Sequence, residues 1–337
     1  MAENKLAHYT SNPKLKTILN KDIWQGTPVD AEGEFNNVYQ PFSLNFWDII
    51  KWKFSKNPYQ DEKKKEHWNP EIIRDTTWLS ASNDCIVWLG HASFFIRING
   101  ATLLIDPVLD NAGISKRHSA FPIDKKQLTG IDYILLSHDH RDHIDQNSLC
   151  TLAKQNPRAQ YRCGLKTEKL IHHFTKSKNI EEAGWYQQFT TDTSKFELYY
   201  LPTRHWGKRG LFDTRKRLWG AFVIKGNGKT IYFGGDSGYD KHYVDAKNIF
   251  GHFDYCIIGI GAYQPRPIME SNHNSPSDAL KTLSDLGANK LIPMHYGTFD
   301  LSDEPLGNPS SELHRLANEQ GVEGKILELK YGQCLNF

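Results

Sequence analysis

The residues best equipped for chemistry crowd into one heptapeptide, Ser137-His138-Asp139-His140-Arg141-Asp142-His143, placed directly after the apolar run Tyr133–Leu136. Imidazole and carboxylate side chains together make a donor set for divalent transition metals. His138, His140, Asp142 and His143 cannot all face one ion comfortably, but a turn leaving a strand can aim the first two at one ion and the last two at another. The spacing therefore points to two adjacent metals, where any two of these histidines alone would read as a surface cluster. Three further candidate donors share the context. His205 follows Phe196–Leu201, Asp236 follows Thr230–Phe233 through Gly234-Gly235, and His295 follows Leu291–Met294. An α/β framework gathers distant residues at strand ends in this way, and glycine allows close backbone approach. Two neighbouring cations lower the pKa of a shared water from about 15.7 towards about 7. The expected chemistry is hydrolysis by a metal-bridging hydroxide, with attack on phosphorus or a carbonyl carbon and no nucleophilic side chain required.

Elements must hold these residues in place. From Cys85 onward, short β-rich runs bounded by Gly, Asp, Asn or Pro recur: Cys85–Leu89, Ser93–Ile98, Thr102–Ile105, Tyr133–Leu136, Phe196–Leu201, Ala221–Ile224, Thr230–Phe233, Tyr255–Ile260 and Leu291–Met294. Helical periodicity predicts helices over Gln146–Gln155, Lys166–Thr175, Ser277–Leu286 and Ser310–Glu319. The alternation implies α/β layering. Residues 1–80 read as an N-terminal extension packing on a main domain of residues 81–337. Within the extension, Phe46, Trp47, Ile49, Ile50 and Phe54 suit a short helix whose aromatics, with Phe42 and Trp52, pack on the main domain beside a lysine-rich face. The sharper reading of that segment is a peripheral contact with anionic lipid.

Composition sets limits. The 337 residues carry a formal charge of +2, so no nucleic-acid partner is expected on bulk electrostatics. Neither a secretory signal nor a run long enough to cross a bilayer is evident, and the five cysteines, widely spaced and without a Cys-x-x-Cys pair, suggest no disulfide framework. A cytoplasmic location is expected, with peripheral membrane association if the substrate is a lipid.

Trp88-Leu89-Gly90-His91-Ala92, Ile105-Asp106-Pro107, the His138–His143 motif, His205-Trp206, Leu218-Trp219-Gly220, Gly235-Asp236-Ser237-Gly238-Tyr239, Ile260-Gly261-Ala262-Tyr263 and His295-Tyr296-Gly297-Thr298-Phe299 together resemble the metallo-β-lactamase-fold hydrolases. The closer resemblance is to the branch with N-acylphosphatidylethanolamine-hydrolysing phospholipase D, the more distant to L-ascorbate-6-phosphate lactonase. It implies a four-layer αββα sandwich with two zinc ions. His138, His140 and His205 would bind one ion, Asp142, His143 and His295 the other, and Asp236 would bridge both. Manganese or iron would suit the same donors. Asp142, Asp236 and His273 are the expected catalytic groups, with His273 on the substrate side and Asp142 orienting the hydroxide.

Around this centre, Arg209, Arg266 and Lys208 are candidates to pair with phosphate, and Tyr263 and Trp219 to line the entrance. Asp106, Asp139, Ser137, Ser237 and Thr298 are candidates to fix the imidazole tautomers, and His91, taken singly, reads as a structural hydrogen-bonding group. The expected activity is phosphodiester hydrolysis on a phospholipid or small molecule. The alternatives are a lactonase or ester hydrolase on a small, perhaps phosphorylated, substrate, and a metal-binding regulatory protein without turnover.

Overall fold

Alternation along single strands builds a sandwich. In Cys85–Gly90, Ile86 and Trp88 enter one apolar core while Val87 and Leu89 enter another. In Tyr133–Leu136, Tyr133 and Leu135 divide in the same way from Ile134 and Leu136. Strands buried on both faces need cover on both sides. The computed structural model describes residues 6–41 and 46–337, and it supplies that cover as two seven-stranded sheets stacked between helices.

The first sheet runs in the order Cys334–Asn336, Cys85–Gly90, Ser93–Ile98, Ala101–Ile105, Tyr133–Leu136, Gln160–Gly164 and Ile180–Ala183. Its first three pairings are antiparallel and its last three parallel. The second sheet runs Ala288–Met294, Phe253–Gly259, Lys229–Phe233, Ala221–Gly226, Glu197–Leu201, Gln187–Gln188 and Lys16–Thr17. Here the first two pairings are parallel and the rest antiparallel. Helices Gln146–Gln155 and Glu168–Thr175 bury Leu149, Leu152 and Ile171 in the core outside the first sheet. Helices His242–Phe250, Pro276–Asp285 and Asn308–Glu319 bring Tyr243, Ala246, Ala279, Leu280, Leu283, Leu313 and Ala317 into the larger core that spans the second sheet. Two of these helices are capped locally. Asp145 accepts from the amide of Ser148 at the end of the His138–His143 turn, and Ser275 and Asp278 form a reciprocal capping box.

The expected strands from Cys85 onward and the four expected helices all form, with ends shifted by a few residues at most. The N-terminal segment is bound in more deeply than packing alone requires. Lys16–Thr17 closes the edge of the second sheet against Gln187–Gln188, and Leu6–Thr10 pairs with Thr27–Asp30. Val29 and Phe35 are wholly buried in the large core, and Arg97 of the first sheet donates to the carbonyls of Trp78 and Leu79 at 2.7 and 3.0 Å. The helix Phe46–Phe54 forms, but its aromatics do not all pack inward, because Trp47 and Phe54 are 71% and 88% exposed. Phe42 and the side chain of Phe46 lie outside the described residues. No helix among the described residues is long and apolar enough to cross a membrane.

Core packing sets the stability scale. Replacing the fully buried Leu135 by alanine is expected to cost about 2–5 kcal/mol. Leu211→Ala, at a side chain 83% exposed, should leave the urea midpoint within experimental error of the parent.

Candidate metal centre

Every strand that ends at the centre contributes from its C-terminal side. Asp106 leaves Ala101–Ile105, the His138–His143 turn leaves Tyr133–Leu136, His205 follows Glu197–Leu201, Asp236 follows Lys229–Phe233, and His295 follows Ala288–Met294. Three of the residues at this junction have left-handed backbone without being glycine: His91 (φ 53°), Asp106 (φ 41°) and His295 (φ 63°). Such conformations cost about 1–3 kcal/mol each and persist where the surroundings enforce them. Close backbone approach is also built in at Gly261, where a Cβ would stand 2.2 Å from the carbonyl oxygen of His295.

The donor atoms form two groups. His138, His140, His205 and Asp236 make the first, and His91, Asp142, His143 and His295 the second, with donor atoms in each within 4.8 Å of one another. Within the first, His140 Nδ1 lies 3.0 Å from His138 Nε2 and 3.2 Å from His205 Nε2. Within the second, Asp142 Oδ2 lies 3.5 Å from His295 Nε2 and 3.8 Å from His143 Nε2. Asp236 Oδ2 stands between them, 3.8 and 3.9 Å from His138 and His205 and 3.3 and 3.1 Å from His143 and His295. The seven expected ligands thus lie together, and His91 joins them. Its Nε2 is 3.0 Å from Asp142 Oδ2, a proximity that an isolated histidine after a strand did not signal.

The far side of the imidazoles is tied down. His143 Nδ1 donates to Asp106 Oδ2 at 2.7 Å, while Asp106 also accepts from the amide and hydroxyl of Ser137. His205 Nδ1 donates to the carbonyl of Asn272 at 2.9 Å, and Ser137 Oγ lies 3.0 Å from His138 Nδ1. These contacts leave Nε2 of His138, His143 and His205 facing the centre. By contrast, His143 Nε2, His295 Nε2 and Asp236 Oδ1 are buried with no hydrogen-bond partner. Buried polar atoms rarely remain so, and as lone-pair donors in an all-imidazole and carboxylate set they fit divalent cations.

Charge follows the same geometry. Burial pushes His138 and His205 well below the ordinary histidine value and lowers His140 too, leaving the neutral imidazole that ligation requires. Burial alone would raise Asp142 and Asp236, but the surrounding imidazoles, His143 foremost, hold both well below the usual carboxylate range. Burial would likewise lower His143 and His295. Facing Asp236 and the neighbouring carboxylates, they are instead raised, His295 to about 9. His273 Nδ1 is 3.7 Å from Asp236 Oδ2, and burial pushes this imidazole down to about 4.

The expected substrate-side residues are held by partners within the protein. Tyr263 is 8% exposed and its hydroxyl donates to Asn308 Oδ1. Trp219 is fully buried, its indole N–H directed at Asn37 Oδ1 and the carbonyl of Thr203. Arg266 pairs with Asp278 at 2.7 Å and donates to the carbonyl of His273, so it supports the loop carrying that histidine. Arg209 Nη1 donates to the carbonyls of Asp139 and Ile144 at 2.9 and 2.6 Å, bracing the metal turn from behind. Each of these four side chains thus has internal partners. Of the remaining tautomer candidates, Asp139 pairs with Arg217, Thr298 accepts from the amide of His91, and Ser237 Oγ lies 3.2 Å from His242 Nε2. Arg117 donates to the carbonyls of Leu89, Val108 and Ser119 and so fixes the loop after Asp106.

With this geometry in place, the class follows. A β-lactamase superfamily domain model matches residues 101–296, and the chain belongs to that superfamily. Within it, the chain is 30% identical over 227 residues to the N-acyl-phosphatidylethanolamine-hydrolyzing phospholipase D 1 of Caenorhabditis elegans, covering 64% of this chain and 64% of that protein. The alignment thus spans less than two thirds of the nematode protein. It is also 30% identical to a UPF0173 metal-dependent hydrolase of Thermodesulfovibrio yellowstonii, covering 75% of this chain and 91% of that one. The isothiocyanate hydrolase from Delia radicum gut bacteria shares the fold, with a TM-score of 0.61 at 21% identity over 75% of this chain and 99% of that one.

Two outcomes test the centre. Protonated His295 competes with a cation, so apparent metal affinity of the apoprotein should rise with pH from 6 to about 9, with protons released on binding at pH 7.5. Calorimetric titration in buffers of differing ionisation enthalpy counts those protons, and pH-independent affinity would contradict the assignment. Asp106→Ala, which frees His143 Nδ1, should lower metal affinity by about 10–100-fold.

Proposed function

We propose that the protein is a dinuclear-metal hydrolase of phosphodiesters, acting on a phospholipid of the N-acylated ethanolamine type, with zinc as the resident ion. The observation that carries this reading is the position of Asp236 Oδ2 between two donor groups, within 3.9 Å of imidazoles from both. Kinship with the nematode phospholipase supports the substrate class. The cations would supply hydroxide at neutral pH and polarise a phosphoryl oxygen.

The chain's own groups do the rest. His138, His140 and His205 would hold one ion and Asp142, His143 and His295 the other, with Asp236 shared. Asp142, held by His91 through Oδ2, would orient the attacking water. His273, 17% exposed at the side chain and 3.7 Å from Asp236 Oδ2, would face the substrate side and relay a proton there. Attack of water oxygen on phosphorus breaks the P–O bond to the alcohol, and the alkoxide leaves as the alcohol after taking a proton. The products are a phosphomonoester and an N-acylethanolamine. Exposed aromatics on Phe46–Phe54 beside Lys51, Lys53 and Lys56 support peripheral contact with a membrane.

Zinc-loaded protein should hydrolyse bis-p-nitrophenyl phosphate and release an N-acylethanolamine from an N-acyl phospholipid, and chelation should abolish both rates. Asp236→Asn should lower metal content and reduce the rate by more than the roughly 10–100-fold of an outer-shell change. Turnover of lactones alone would replace the phosphodiesterase reading with a lactonase, and full activity of Asp236→Asn would remove the mechanism.

A further inference from the structure

The centre opens where His140, Asp142 and His273 are partly exposed, with the exposed Arg141 between the first two. Two loops meet on that arginine. Gly113 packs so closely that a Cβ there would stand 2.9 Å from Arg141 Cδ, and Arg141 Nη2 donates to the carbonyl of Arg209 at 3.3 Å. Beside these contacts the loops present Ile114, Leu211 and Phe212, which are 100%, 83% and 91% exposed. Single exposed apolar side chains are ordinary. Three on two loops that both contact Arg141, beside the opening of the site, mark a contact surface.

Both loops are held from within. Arg117 is bonded to three carbonyls, and Asp213 accepts from the amides of Arg209 and Gly210 and pairs with Arg217. That pairing engages the acid of the second loop, and Asp110, just before the first, is engaged by Lys125. Lys116 and Arg141, both exposed, and the half-buried Lys208 then frame the apolar tips. A two-fold contact with a second copy would bring this cationic frame against its own like charge. An anionic bilayer complements it.

We propose that loops 111–118 and 207–216 form a bilayer-docking edge. Ile114, Leu211 and Phe212 enter the interfacial region, and Lys116, Arg141 and Lys208 pair with anionic lipid phosphates. The metal centre then meets a headgroup while the lipid stays in its leaflet, a step that rests on the phosphodiesterase reading, whereas the docking itself does not.

Co-sedimentation of the full chain with phosphatidylcholine vesicles, with and without phosphatidylglycerol, tests the edge. Binding is expected to be stronger with phosphatidylglycerol and to weaken with salt. The triple variant I114S/L211S/F212S should bind at least 10-fold more weakly while hydrolysing bis-p-nitrophenyl phosphate at the parental rate, and K116Q/K208Q should lose the preference for anionic vesicles. Vesicle binding by the triple variant equal to the parent's would overturn the proposal, as would a parent that ignores vesicles or a variant that merely dissociates a dimer. A parent inactive on bis-p-nitrophenyl phosphate would defeat the phosphodiesterase reading, and the sedimentation result would still decide the docking.

Discussion

A carboxylate oxygen surrounded by imidazole nitrogens and shut away from water is the constraint around which this chain is arranged. Asp236 Oδ2 lies between 3.1 and 3.9 Å from Nε2 of His138, His143, His205 and His295. A lone buried carboxylate would be costly, and four converging imidazoles would repel one another once protonated. Opposite charges among these groups offset that cost, and the same donors fit divalent cations. The same balance pushes His138 and His205 down by burial and draws His143 and His295 up through the facing carboxylates.

The balance depends on direction as much as on charge. Nδ1 of His143 is turned to Asp106 and Nδ1 of His205 to a backbone carbonyl, which leaves the opposite nitrogen of each ring on the centre. Asp106 and His295 hold left-handed backbone at the strand ends. The local strain is sustained by strands buried on both faces, so the inter-sheet packing and the donor geometry are one problem. Arg209 and Arg266 belong to this frame, as braces behind the turn and behind the His273 loop.

Much of this was legible in the order of residues. Period-two alternation and turn residues marked the strands from Cys85, and the His138–His143 spacing marked the centre, because both signals are local. What escaped detection was non-local. Lys16–Thr17 is a two-residue strand with no alternation to read, Gln160–Gly164 carries a buried arginine that pairs across to Glu181, and His91 reaches Asp142 only through the fold. Cations posed the hardest case. A guanidinium bonded to carbonyls and one awaiting a phosphate have the same letter, so the sequence did not show that Arg209 and Arg266 brace the turn and the His273 loop. The helix Phe46–Phe54 posed the converse difficulty, since amphipathic patterning does not say whether an aromatic face meets protein or water.

The short strand at Lys16–Thr17 has a consequence for how the chain can be divided. It occupies the hydrogen-bonding rim beside Gln187–Gln188, while Val29 and Phe35 of the same segment fill interior space. Removing residues 6–41 would bare an open β-edge at Gln187–Gln188 together with an aromatic-sized hollow where Phe35 sits. Naked edges invite strand addition from other molecules, and here the leading segment covers that edge.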